Sequence, residues 1–211
     1  GVALGTTRNV DFWPDIFALM LLQNGADPGN PTNKLAEDAL TFYTIFALQD
    51  KVWDDTLPAS TYAFATGKVA MYFGPSWSVH AIKETNPQLK FATVPVPQLP
   101  NTHVTWASYW VEGVAQKSPR REAAFKLLDF LSRKDNLAKL YTETSNIRAI
   151  GEPYPRIDLA ATIKNDPLIG SFVAQANDAQ SWYLASRTFD NGLNDRIIKY
   201  YEDALNSLVQ G

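Results

Sequence analysis

Aromatic side chains are the chemically distinctive residues of this chain: six Trp, nine Tyr and eleven Phe make up 12% of its 211 residues. Aromatic rings bury large areas, so most are expected in the core. Several tryptophans nevertheless sit among Gly, Pro and Ser, as Trp77 does after Gly74-Pro75-Ser76. Groups for bond-making chemistry are sparse. His80 and His103 stand alone, without a second His or Cys at ligand spacing, so no metal site is expected. With no cysteine there is no disulfide, thiolate zinc site or thiol nucleophile. The neighbours Asp54 and Asp55 read as a solvated turn or helix cap rather than an acid/base pair. G-x-S-x-G, Walker and G-x-G-x-x-G motifs are missing, and no cofactor is expected.

These residues are positioned by a helix-rich chain. Val2 to Thr7 reads as a short strand, and Asp11 to Gln23 as a helix with Phe12, Ile16, Leu19 and Met20 near one face. Pro14 is tolerated in its first turn, and Asn24-Gly25 stops it. Helical spacing recurs over 34–49, 59–66 and 77–84, with a buried strand at 69–73 running into Gly74-Pro75. Strands are expected at 91–94 and 106–115, separated by a proline-rich connector, 95–100. Helices follow from 118 to 131, over 134–142, 157–164 and 167–177, and from 190 to 209. The alternation points to an α/β layered fold.

Composition narrows the function classes. A formal net charge of -3, with no Lys/Arg cluster, argues against a nucleic-acid surface. No apolar run approaches the roughly 20 residues of a membrane helix. Gly1 to Gly5 lacks the basic leader and apolar stretch of a signal segment.

Taken in order, several stretches resemble the carbohydrate-type extracellular solute-binding proteins of ABC importers, relatives of maltose-binding protein. Phe64-Ala65-Thr66-Gly67-Lys68-Val69-Ala70-Met71 is similar to that family's F-x-x-G-K-x-A-M, and here too a strand and the Gly/Trp loop Gly74–Trp77 follow. Lys90 to Pro97, Val114 to Ser118 ahead of the helix 122–131, and Trp182 to Arg187 ahead of the final helix match as well. A Gly-rich turn often found before the strand at Ala115 is replaced by Ala107-Ser108-Tyr109-Trp110.

The resemblance implies an α/β, periplasmic-binding-protein-like fold with two hinged lobes and ligand between them. Residues 1–94 and 152–211 would form the second lobe. Residues 95–151 would supply hinge strands and a segment returning to the first lobe, whose N-terminal part is absent. It further implies an extracytoplasmic, non-enzymatic binder of a mono- or oligosaccharide, delivering it to an importer permease. A sugar site pairs aromatic faces with planar polar groups that satisfy the hydroxyls. By motif, the ligand-binding candidates are Phe12, Trp13, Ser76, Trp77, Trp110, Glu112, Trp182 and Arg187, with Asn9 and Asp11 as further polar companions. A glycosidase using Asp11 and Glu112 is the enzymatic alternative, and a module pairing with a chain that supplies the missing lobe is another. A lobe remnant over 106–146 would also favour self-association or segment exchange.

Overall fold

The computed structural model describes residues 1–183 and 192–209. Two short parallel strand pairs, nine α-helices and one 3-10 helix, Ala176–Asp178, carry the regular structure of these residues. Val2–Ala3 (β1) pairs with Met71–Tyr72 (β2), Val2 opposite Met71. Between them run Trp13–Gln23 (α1), Lys34–Leu48 (α2) and Ser60–Ala65 (α3). Ser78–Thr85 (α4) follows, then Thr105–Trp106 (β3), Arg121–Ser132 (α5), Lys134–Ser145 (α6), Ile157–Ile163 (α7) and Gly170–Gln175 (α8). Ala179–Gln180 (β4) pairs in parallel with β3, and Leu193–Val209 (α9) completes the described chain. No described helix is long and apolar enough to cross a membrane.

Helix ends follow local chemistry. Asn33 caps α2, its side chain accepting from the Ala36 N–H at 3.0 Å, a contact that stabilises a helix by about 1 kcal/mol. Beyond α1, Gly25 takes φ 77°, the left-handed stop that glycine adopts without a Cβ penalty. The strands are shorter than the sequence patterns predict. In 106–115 the ladder ends at Ala107, whose N–H donates to the Gln180 carbonyl at 2.8 Å. No described strand lies beside the residues after it, and Trp110 and Val111 are 80% and 76% exposed. Residues 91–94 likewise form no strand; the Thr93 N–H instead bonds the Pro167 carbonyl at 3.2 Å. Alternation without a partner edge does not make a strand.

The chain divides into two compact units. One comprises 1–90, 95–108 and the described part of 175–211; the other comprises 91–94 and 109–174. In the first, α1 packs on α2, and α2 on α9. Phe17 is fully enclosed, its ring meeting Tyr43 at 5.9 Å and Tyr201 at 5.6 Å, both edge-to-face. Burying such a ring contributes about 2–3 kcal/mol. Both tyrosines satisfy their hydroxyls: Tyr43 donates to the Thr6 carbonyl at 2.8 Å, Tyr201 to that of Pro28. Burial raises both phenol pKa values, that of Tyr201 to about 12. The second unit has its own small core of Ile150, Leu159, Ile163 and Ile169. There Tyr141 stacks on Tyr154 at 4.9 Å and the Ser171 hydroxyl bonds that of Thr93 at 2.7 Å. Helices α5 and α6 bury no residue, leaving Phe125, Phe130 and Leu140 more than half exposed.

The loop between β1 and α1 is fixed by one side chain. Asn9 donates through Nδ2 to the carbonyls of Asp54 and Leu57, at 2.8 and 2.9 Å. Its Oδ1 accepts from Thr6 Oγ1 at 2.6 Å and Trp53 Nε1 at 2.9 Å, and its own carbonyl accepts from the Ser60 N–H at 2.8 Å. Trp53 is thereby a core residue, 2% exposed. Two residues on, the Asp11 N–H donates to Ser60 Oγ at 2.9 Å, and Asp11 Oδ2 accepts from the Thr61 N–H at 2.9 Å, at the start of α3. Pinned on both sides, Phe12 enters α1 with φ 61° and ψ 21°.

A left-handed conformation costs a non-glycine residue about 1–2 kcal/mol. Glycine escapes this penalty, so the usual ranking of Ala above Gly is expected to reverse here: urea unfolding should find Phe12→Gly about 1 kcal/mol more stable than Phe12→Ala. Equal stability, or Ala ahead, would mean that Phe12 does not hold this backbone in solution. A second comparison separates sterics from backbone preference. At Gly5 (φ 106°) an added Cβ would lie 2.8 Å from the Ala47 N, whereas at Gly67 (φ 74°) it meets nothing within 4 Å. Gly5→Ala is expected to destabilise by more than about 2 kcal/mol, and Gly67→Ala by about 1 kcal/mol.

Candidate functional site

The pinned loop forms one wall of a hollow of about 920 Å³ in the first unit, a size within the range of small-molecule sites. Phe12 and Trp13 come from the start of α1, and Trp77 from the turn before α4. The rings of Phe12 and Trp77 meet edge-to-face at 6.1 Å and 76°. Trp13 is only 8% exposed and belongs also to the core, while Trp77 is 44% exposed. The three rings thus grade from structural support to open platform.

Polar groups surround the rings. Thr61 and Ser78 line the hollow from α3 and α4, Thr7, Arg8 and Asp11 from the loop, and Asn194 and Asp195 from the first turn of α9. Carboxylates, hydroxyls, an amide and a guanidinium supply both acceptors and donors. Among the described residues, Arg8, Asp11 and Asp195 enter no ion pair, and no cluster of acids and histidines could hold a metal ion.

Behind this wall lies Tyr72, stacked on Phe64 at 5.2 Å. Burial raises its phenol pKa. A Cβ at Gly74 would collide with the Tyr72 hydroxyl. Glycine at 74 is what lets the chain pass that ring and turn to present Trp77.

Of the residues expected from the sequence, the hollow gathers Phe12, Trp13, Trp77 and Asp11. Ser76 adjoins Trp77 without lining it; its carbonyl accepts from the Val79 N–H at 3.2 Å. Trp182 lies elsewhere in the first unit, 38% exposed, in contact with Tyr183 and pressed against Gly29, where an added Cβ would lie 2.9 Å from the indole. Trp110 and Glu112 are exposed residues of the second unit. Arg187 lies outside the described residues. Asn9 supports the wall from within and does not line it.

Arg8, Thr61, Ser78, Asn194 and Asp195 were not legible as site residues. Asp195 looks in sequence like an ordinary first-turn acid of a helix. Arg8 carried a signal only by its proximity to Asp11 and Phe12.

A structure search finds the same fold in the maltotriose-binding protein of Thermus thermophilus, solved with maltotriose bound. The TM-score is 0.56 at 15% identity, over 99% of this chain and 62% of that one. The present chain therefore spans less than two thirds of the length of that neighbour. The fold is α/β and helix-rich, that of the periplasmic binding proteins. No curated protein sequence matches the chain. The model of the family described as "Bacterial extracellular solute-binding protein" matches residues 5–170. That match takes in most of the chain, including the loop, the Gly74–Trp77 turn and the proline-rich connector 95–100, and the chain belongs to the bacterial extracellular solute-binding protein family.

Proposed function

We propose that this chain binds a small carbohydrate, and that in its full setting it presents the sugar to an ABC importer from an extracytoplasmic location. The observation that carries the reading is the hollow in the first unit, where Phe12, Trp13 and Trp77 stand beside Asp11, Thr61, Asn194 and Asp195. A pyranose offers C–H faces ringed by hydroxyls. The C–H faces gain contact area on an aromatic platform, and each hydroxyl needs a planar acceptor or a donor once it leaves water. Family membership and the fold shared with a protein solved holding maltotriose support the same class of ligand. A family of binding proteins also favours capture without catalysis.

Binding here works by prearrangement. Phe12 is set by the Asn9 and Asp11 bonds before any ligand arrives, so little ordering is left to be done at binding. Hinge closure of two lobes and the contributions of Ser76, Trp110, Glu112, Trp182 and Arg187 belong to this proposal on the strength of the family resemblance alone.

Trp77 provides the sharpest test, because it is half-exposed and not part of the core cluster. Calorimetry against di- and trisaccharides should find Trp77→Ala binding at least about tenfold more weakly, with the urea midpoint shifted by less than about 0.5 kcal/mol equivalent. Trp77→Phe should recover part of the loss. Unchanged affinity in Trp77→Ala would remove the hollow as the sugar site.

A further inference from the structure

We infer that the ligand of this hollow carries a positive charge, as an amino sugar does; the inference rests on the carbohydrate reading and narrows it. Among the described residues, two carboxylates, Asp11 and Asp195, line the hollow against one guanidinium, that of Arg8, an excess of one negative charge among them. Neither acid is neutralised by an ion pair among the described residues. Asp195 is exposed toward solvent at the start of α9. Asp11 spends only Oδ2 on the protein, accepting from Ser60 Oγ at 3.3 Å and the Thr61 N–H at 2.9 Å. Among the described residues its Oδ1 accepts no hydrogen bond, and an incoming donor has that oxygen to itself.

The rings act in the same direction. Aromatic faces are electronegative, and an ammonium group over Trp or Phe is attracted to them. Phe12, Trp13 and Trp77 share the hollow with the two acids, so a cation there has aromatic rings and carboxylates within the same space. A uronate or sugar phosphate meets the reverse. Its own charge would have to approach Arg8 while two like charges stand in the same space, a juxtaposition that rejects ligands. A neutral sugar satisfies its hydroxyls but leaves the excess charge unanswered. Arg8 then acts as a hydroxyl donor on the rim.

The test is a panel of di- and trisaccharides, α- and β-linked, built from glucosamine, glucose or glucuronate units and titrated calorimetrically into the chain at low and physiological salt. The glucosamine member is expected to bind about tenfold more tightly than the glucose member of the same linkage, and the glucuronate member most weakly. The advantage should shrink as salt rises. Asp195→Asn should weaken the glucosamine member more than the glucose member and so narrow their ratio. Tightest binding by a neutral or acidic member, or a ratio untouched by Asp195→Asn, would overturn the inference while leaving the carbohydrate reading in place. Binding of no member would remove both.

Discussion

The hydrogen bonds of Asn9 are the constraint on which the site depends. A single buried amide uses both its donors and its acceptor oxygen on four different residues, and its backbone carbonyl holds a fifth. Through them the loop after β1 is tied to the segment 53–60, so that Asp11 arrives beside the start of α3 and Phe12 is driven into a left-handed backbone. Each bond is worth only about 1 kcal/mol net, but leaving a partner buried and unsatisfied costs more than forming the bond gains. That asymmetry makes the loop rigid: no single bond can be surrendered cheaply. Strain at Phe12 is tolerated because the surroundings determine the backbone there more strongly than the residue's own preference does.

The helices were legible because their cause is local. Apolar spacing and Asn24-Gly25 as a stop are written within a few residues of the helix ends, and the observed spans of α1, α2 and α4 follow the expected ones closely. Strands depend on a partner that the sequence does not name. The alternation from Trp106 to Ala115 yields only Thr105–Trp106, because the β4 edge that pairs with it runs for just two residues. The rings that line the hollow could be read for the same reason as the helices, Phe12 at a helix start and Trp77 after a Gly-Pro-Ser turn, whereas Trp110 and Trp182, expected with them, lie elsewhere. The polar part could not. Asn194 and Asp195 reach the hollow from the opposite end of the chain, and nothing near them in sequence sets them apart from other polar residues at a helix start.

Asn9 shows the limits of residue type as a guide. As a polar residue next to aromatic ones it looked like a sugar contact, and chemically it would serve as one. The fold uses it instead to saturate buried backbone and indole groups, and it is 9% exposed. A residue can govern a site without touching what the site holds. Trp53 makes the complementary point: set in the charged turn Lys51–Asp55, it is drawn into the core by the acceptor that Asn9 offers its indole N–H.

The discontinuity of the first unit has a kinetic consequence. Its core cluster joins Ala3 and Leu4 with Leu205, and β1 pairs with a strand nearly seventy residues further on. Contacts this distant in sequence must close long loops before they are rewarded, which slows folding. During synthesis, α1 and α2 emerge long before the α9 that packs against them, so the side of Phe17 that meets Tyr201 stays uncovered until α9 has been made. The second unit, whose longer segment runs unbroken from 109 to 174, is complete well before that. Until α9 is made, the apolar faces of α1 and α2 in the first unit are a point of vulnerability to aggregation.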